Sequence, residues 1–214
     1  MTQQEIKGNL ARLLATENLV VEHKIVETAS FDVERRVLTL PIWQVSGRVY
    51  DMLVGHEVGH ALFTTNAMGE AVERISKEDK YSMGIVHGYT NVVEDARIER
   101  LMKDRFPGLA KDFFRGYEDL DQRDLFGLDG VDRNDLPLID RINLHFKLEN
   151  RYAVSFNAEE QQLVNDIAQA TEWSEVVDLA RELYNMSKLE QDEKNQEQEE
   201  SESGQTPETG QSGN

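Results

Sequence analysis

Two histidines four residues apart, His56 and His60, with Glu57 beside the first, carry the most distinctive chemistry in this sequence. They lie in Gly55-His56-Glu57-Val58-Gly59-His60-Ala61-Leu62-Phe63, an HExxH pattern inside an apolar run. On an α-helix, residues i and i+4 stand about 40° apart around the axis and about 6 Å apart along it. Both imidazoles can then reach one metal ion, while Glu57 reaches a water on that ion. Two neutral nitrogen ligands, an open position and a carboxylate that accepts a proton are the parts of a hydrolytic zinc centre. The flanks argue against two merely structural histidines. Met52, Leu53, Val54, Val58, Ala61, Leu62 and Phe63 leave Glu57 as an isolated charge in apolar surroundings. A buried carboxylate is costly unless it is paired or working. Gly55 and Gly59 each lower helix propensity by about 1 kcal/mol, which suggests that bulk is excluded beside the histidines.

Two histidines need a third protein ligand, and Thr90-Asn91-Val92-Val93-Glu94-Asp95-Ala96-Arg97-Ile98-Glu99 is the segment expected to supply it. Asn91, Glu94, Asp95 and Ile98 share one helical face. Glu94, flanked by Val92, Val93 and Ala96, is the expected ligand, which completes a set of two nitrogens and one oxygen. Asp95 is then expected to accept from a ligand histidine's free N–H and orient its ring. His87, two turns earlier on nearly the same face, is the rival third ligand. The alternative without a site is a solvated, salt-bridged face made by Glu94, Asp95, Arg97 and Glu99.

HEVGH on one helix, with Asn91-Val92-Val93-Glu94-Asp95 on a following one, resembles the gluzincin group of zinc metallopeptidases. More narrowly, NVVEDARIE resembles the metallopeptidase modules that phages and bacteria carry ahead of a von Willebrand A domain, often labelled cobaltochelatase-like. The resemblance covers residues 56–99. It implies an α+β, zincin-like fold: a small twisted N-terminal β-sheet packed on the HExxH helix and a ligand-bearing helix, then a mostly helical C-terminal part. It also implies Zn2+ held by His56, His60 and Glu94, with Glu57 as general base in peptide-bond hydrolysis, by an endopeptidase rather than an exopeptidase. The implied partners are a peptide or protein substrate and a von Willebrand A domain or AAA+ ATPase. One position departs from the pattern, because Ile98 stands where a carboxylate is expected four residues after the ligand. No DxSxS adhesion motif is present. The oxyanion of such a reaction needs a further donor, and His145, Tyr117, Tyr152 and His87 are candidates. His145 is preferred as a catalytic residue, since related enzymes keep a histidine downstream of the ligand helix. The competing expectation is a zinc-bearing interaction module, or a partner subunit of a chelatase-like assembly, with little peptidase activity. Retention of Glu57 favours the enzyme, because zinc binding alone does not need it.

The elements that must position these residues follow from periodicity. Ile6, Leu10, Leu13 and Leu14 predict a short helix over 6–15. Strands are predicted over 19–26 and over 36–41, the second ended by Pro41, with a turn at 31–35 between them. His23 falls in the first strand without a partner at ligand spacing and reads as a half-exposed strand histidine. The motif helix is expected over 46–65, a loop or surface helix over 66–80, and the ligand helix from Ser82 until Phe106-Pro107-Gly108 stops it. Helix then loop is expected over 109–130, and a helix over 136–151. A further helix is expected to be capped by Asn157, and a last one to open at Ser174. Substrate is expected to add as a strand along residues 36–40.

Composition sets the outer limits. The 214 residues contain no cysteine, which excludes disulfides and thiolate metal sites. The net charge of −18 argues against binding to a phosphate backbone, so no nucleic-acid partner is expected. No run has the length of a membrane span and the N-terminus is no signal peptide, so a cytoplasmic location is expected, in the host cytoplasm for a phage protein. Residues 1–187 are expected to form the zincin-like domain. Residues 188–214, rich in Glu, Gln, Ser and Gly with Leu189 as the one large apolar residue, read as a disordered acidic tail or linker.

Overall fold

The computed structural model describes residues 3–17, 19–42, 46–66, 68–148 and 154–203. In chain order its elements are α1 (Gln3–Ala15), β1 (Val20–Lys24), β2 (Ser30–Asp32), β3 (Val37–Pro41), α2 (Gly47–Phe63), α3 (Met68–Asp79), α4 (Met83–Arg105), α5 (Ala110–Gln122), α6 (Leu138–Leu148), α7 (Ala158–Gln169) and α8 (Trp173–Ser203). The architecture is mixed α+β, mostly helical with one small sheet.

That sheet has the order β1-β3-β2, with β1 parallel and β2 antiparallel to β3. Leu38 and Leu40 alternate with half-buried Val37 and Thr39, and both leucines are fully buried against α1 and α2. The turn expected at 31–35 is shorter than predicted. Phe31 belongs to β2, and the reversal falls at 33–36, where Asp32 Oδ1 accepts from the amides of Glu34 and Arg35. Arg36 closes it at φ 57°. Because both partners of β3 are in place, residues 36–40 lie at the sheet's centre. The strand-addition site expected there is therefore not available; the sheet's edges are β1 and β2.

Two helices matter for the site. Helix α2 starts at Ser46, whose side chain accepts from the Val49 amide, and runs through an interior so apolar that ten of its residues are buried. Helix α4 starts at Ser82, whose hydroxyl accepts from the Ile85 amide, and ends just before Pro107. It lies between two cores. On one side, Met102 packs with α1, the sheet, α2 and α5. On the other, Val93 and Ala96 pack with α6, α7 and α8. A helix covered on both sides must bury whatever its sequence places there, and this determines the fate of its charged residues.

The glycines of the motif serve helix approach rather than room for ligands. A Cβ on Gly59 would stand 3.1 Å from Met102 Cγ and 3.2 Å from Ile98 Cδ1 on α4. One on Gly55 would stand 3.4 Å from the Phe113 ring on α5. Gly116 does the same from the other partner, since a Cβ there would collide with Met52.

Asn157 caps α7 in a full capping box with Glu160, as its sequence predicts. Helix α8 opens at Trp173, one residue earlier than expected, with Glu175 accepting from the amides of Thr171 and Glu172. It does not stop at Ser187. Residues 188–203, read from composition as disordered, continue the helix, and residues 204–214 lie outside the described residues. Glutamate, glutamine and lysine are good helix formers, and extending a helix already anchored by Leu183 needs no new nucleus. Glu190 also docks on the body. Its carboxylate accepts from the Leu138 amide at 3.0 Å and from Arg141 Nη2 at 3.0 Å. A chain ending after Ser187 is expected to lose about 1–3 kcal/mol with these charge-assisted bonds. At about 2–4 °C per kcal/mol for a domain of this size, a thermal melt should fall by several degrees. Ending after Asp192 should leave the midpoint unchanged. Equal midpoints for the two truncations would show that Glu190 contributes nothing.

Candidate metal centre

The packing of α2 on α4 brings three potential ligands together. His56, His60 and Asp95 each offer one atom, and these atoms lie within 4.8 Å of one another. Asp95 Oδ1 stands 3.6 Å from His56 Nε2 and 3.3 Å from His60 Nε2. The histidine rings meet edge to face, with centroids 5.0 Å apart.

The other nitrogen of each ring is fixed by a hydrogen bond, and these bonds decide the tautomers. His56 Nδ1 lies 2.9 Å from Glu99 Oε1. A carboxylate can only accept, so Nδ1 carries the proton. His60 Nδ1 lies 2.8 Å from Thr64 Oγ1, whose hydroxyl donates to Glu94 Oε1 at 2.6 Å. The hydroxyl proton is thus committed, and His60 Nδ1–H must donate to the hydroxyl oxygen. Nε2 is therefore the nitrogen that each ring turns towards Asp95, the arrangement that outer partners of metal-ligating histidines impose.

This geometry revises the assignment of the third ligand. Glu94, expected to ligate, is fully buried and occupied elsewhere. It forms a two-bonded pair with Arg97 (Nε–Oε2 2.8 Å, Nη2–Oε1 2.8 Å) and accepts from Thr64. Arg97 in turn donates to the carbonyls of Phe63 and Thr171, at 2.8 Å each. Glu94 therefore orients His60 through Thr64, and Asp95, expected in a supporting role, presents the oxygen. The ring-orienting carboxylate for His56 is Glu99. Glu99 stands four residues after Asp95, as Ile98 does after Glu94. The solvated-face alternative fails as well, since Glu94, Asp95, Arg97 and Glu99 are all 5% exposed or less. His87 is exposed near the start of α4 and takes no part.

Glu57 is buried beside this group. Its desolvation pushes its carboxyl pKa up, against the pull of His56 and His60. Burial lowers the His56 pKa, but Asp95, Glu99 and Glu57 outweigh it and raise it to about 9. Burial likewise opposes ionisation of Asp95, yet His56, Lys147 and His60 hold its carboxyl well below the usual range.

Two contributors lie outside the motifs. Tyr117 on α5 donates its hydroxyl to Glu99 Oε1, so it is committed to orienting His56 and is not a free oxyanion donor. Lys147 on α6 places Nζ 3.2 Å from Asp95 Oδ2. No local pattern announces Lys147. Glu99 had a signal: Asp95, Ile98, Glu99 and Met102 form an i, i+3, i+4, i+7 stripe, and Ile98 and Met102 meet Gly59 of α2.

His145 does not join the group. Its ring lies against Phe146 and Phe156, with centroids at 5.2 and 5.5 Å, and it lines a cleft that also touches Glu99, Arg100 and Lys103. Burial lowers its pKa. Tyr152 lies outside the described residues. His23 packs on Tyr50, its ring half-buried and apart from the centre, as expected of a strand histidine.

The residues fit a divalent cation. Asp95 Oδ1 is buried without a hydrogen-bond partner, an expensive state unless a cation faces it. When ionised, Glu57, Asp95 and Glu99 outnumber the ammonium of Lys147, a negative balance that holds a proton on His56 and that a bound metal cation would meet in that proton's place. The group His56, His60 and Asp95 could hold a metal ion. No protein-family model, curated protein or solved structure matches the chain. Among the described residues, no helix is long and apolar enough to cross a membrane.

Proposed function

We propose that this protein is a zinc-dependent peptide hydrolase of gluzincin-like design in which Asp95 takes the glutamate's place. The observation that supports it most directly is the convergence of His56 Nε2, His60 Nε2 and Asp95 Oδ1 beside a buried Glu57 that ligates nothing in the group. Two imidazole nitrogens and one carboxylate oxygen are a common set for catalytic zinc and leave a coordination position open. Bound zinc supplies a Lewis acid for the carbonyl and lowers the pKa of water to about 7.

The chain's own residues account for the rest. Glu57, buried beside the ligand atoms, accepts a proton from the attacking water and returns it to the leaving amine. Glu99, Tyr117, Thr64 and Glu94 hold the two rings so that neither can turn its lone pair away. An extended peptide pairs with β2, the edge strand that contacts α2.

The test is a digest of a broad peptide library by metal-analysed protein. Cleavage is expected with one zinc per chain, to vanish on chelation and to return on adding Zn2+. Full zinc loading with no cleavage would turn the reading towards an interaction module, including a partner of a von Willebrand A domain or AAA+ ATPase.

A further inference from the structure

Asp95 offers the metal centre only one of its two oxygens. Oδ1 faces the histidine nitrogens, whereas Oδ2 accepts from Lys147 Nζ at 3.2 Å and from Asn91 Nδ2 at 3.3 Å. Asn91 sits one turn earlier on α4, so its amide is a local neighbour. Lys147 comes from α6, which packs against α4. Its side chain is 17% exposed, and its ammonium stands 5.6 Å from the ring centroid of Tyr117, the residue that donates to Glu99. An ammonium is seldom buried this far without a specific partner, and here it donates to the oxygen that points away from the histidines.

A carboxylate binds a metal through one oxygen or two. A catalytic zinc centre needs three protein ligand atoms and one free position. With both oxygens unrestrained, Asp95 could take that position by turning its second oxygen inward. Lys147 adds the attraction of a full positive charge to its hydrogen bond, which the neutral amide of Asn91 lacks, so Asn91 alone is a weaker restraint than the lysine. Resting on the metal-centre reading above, we propose that Lys147 is a positioning residue that confines Asp95 to one-oxygen ligation and so keeps the substrate's coordination position open.

The test uses the full chain loaded with Co2+, whose d–d absorption reports coordination number. Wild type and Lys147→Arg are expected to show the strong absorption of a four-coordinate centre. Lys147→Met, and Lys147→Gln as a polar variant without the charge, are expected to bind one Co2+ per chain with weaker absorption, as a fifth ligand atom enters. In the zinc forms, kcat should fall about 10–100-fold for both, the usual cost of losing an outer-shell partner. KM should change little, and Lys147→Arg should recover most of the loss. A wild-type cobalt spectrum in Lys147→Met overturns the proposal. So does failure of both Met and Gln variants to fold in a thermal melt while the Arg variant folds, since Lys147 would then be structural. If wild type itself takes up no Co2+, the metal-centre reading fails, a result distinct from an unchanged spectrum in a loaded variant.

Discussion

Glu57→Gln should hold one zinc per chain and lose nearly all peptide cleavage. The amide keeps the size of the carboxylate and much of its hydrogen bonding, but it cannot accept a proton at neutral pH. Removing a general base commonly costs a factor of about 10² to 10⁴ in rate, or about 3–5 kcal/mol of barrier. Zinc content should not move, because the group that could hold a metal ion is His56, His60 and Asp95, without Glu57. Metal analysis and single-substrate kinetics on the same preparation check both halves. Cleavage at the wild-type rate would end the mechanism given above, while loss of zinc would mean that Glu57 belongs to the ligand set.

The second large effect separates two adjacent carboxylates. Asp95→Ala should abolish stoichiometric zinc after dialysis, with affinity reduced by more than about 10²-fold, the upper end of what outer-shell changes cost. Glu94→Gln should do the opposite. It should keep zinc, because Glu94 touches Thr64 and Arg97 rather than the ligand atoms. It should also destabilise the fold, because Arg97 is 4% exposed and would remain as a buried cation without its carboxylate. Breaking such a pair costs about 3–5 kcal/mol, a drop on the order of 10 °C in the melting midpoint. Zinc retained in Asp95→Ala and lost in a folded Glu94→Gln would restore Glu94 as the ligand.

How much of this was legible beforehand differs by element. The N-cap Asn157, the helix starts near Ser46 and Ser82, the stop at Pro107 and the strands around Val21 and Leu38 are local chemistry, and they were readable as such. The short β2 was hidden because three residues give too little alternation to show a period. The helical continuation of α8 past Ser187 was missed for a different reason. Composition measures whether a segment can fold alone, whereas this one extends a helix already anchored by the core and is tied down by Glu190.

By itself the sequence determined the pairing of His56 with His60 and the place of Glu57, because i, i+4 geometry is a property of any α-helix. It also placed the candidates for a third ligand on α4, the acidic stretch there and its rival His87. Only the tertiary structure decided which carboxylate there faces the histidines. Neighbours on a helix point about 100° apart, and apolar flanks identify a buried side only when a helix has one. Helix α4 has two: Val93 and Ala96 belong to the core with α6, α7 and α8, whereas Ile98 and Met102 meet Gly59 of α2. The flanks of Glu94 mark a buried seam, but its carboxylate pairs with Arg97 beside the carbonyl of Phe63, while Asp95 turns to the histidines. Lys147, some fifty residues further along the chain, reaches Asp95 only because α6 packs against α4, and no local pattern encodes a contact made by packing.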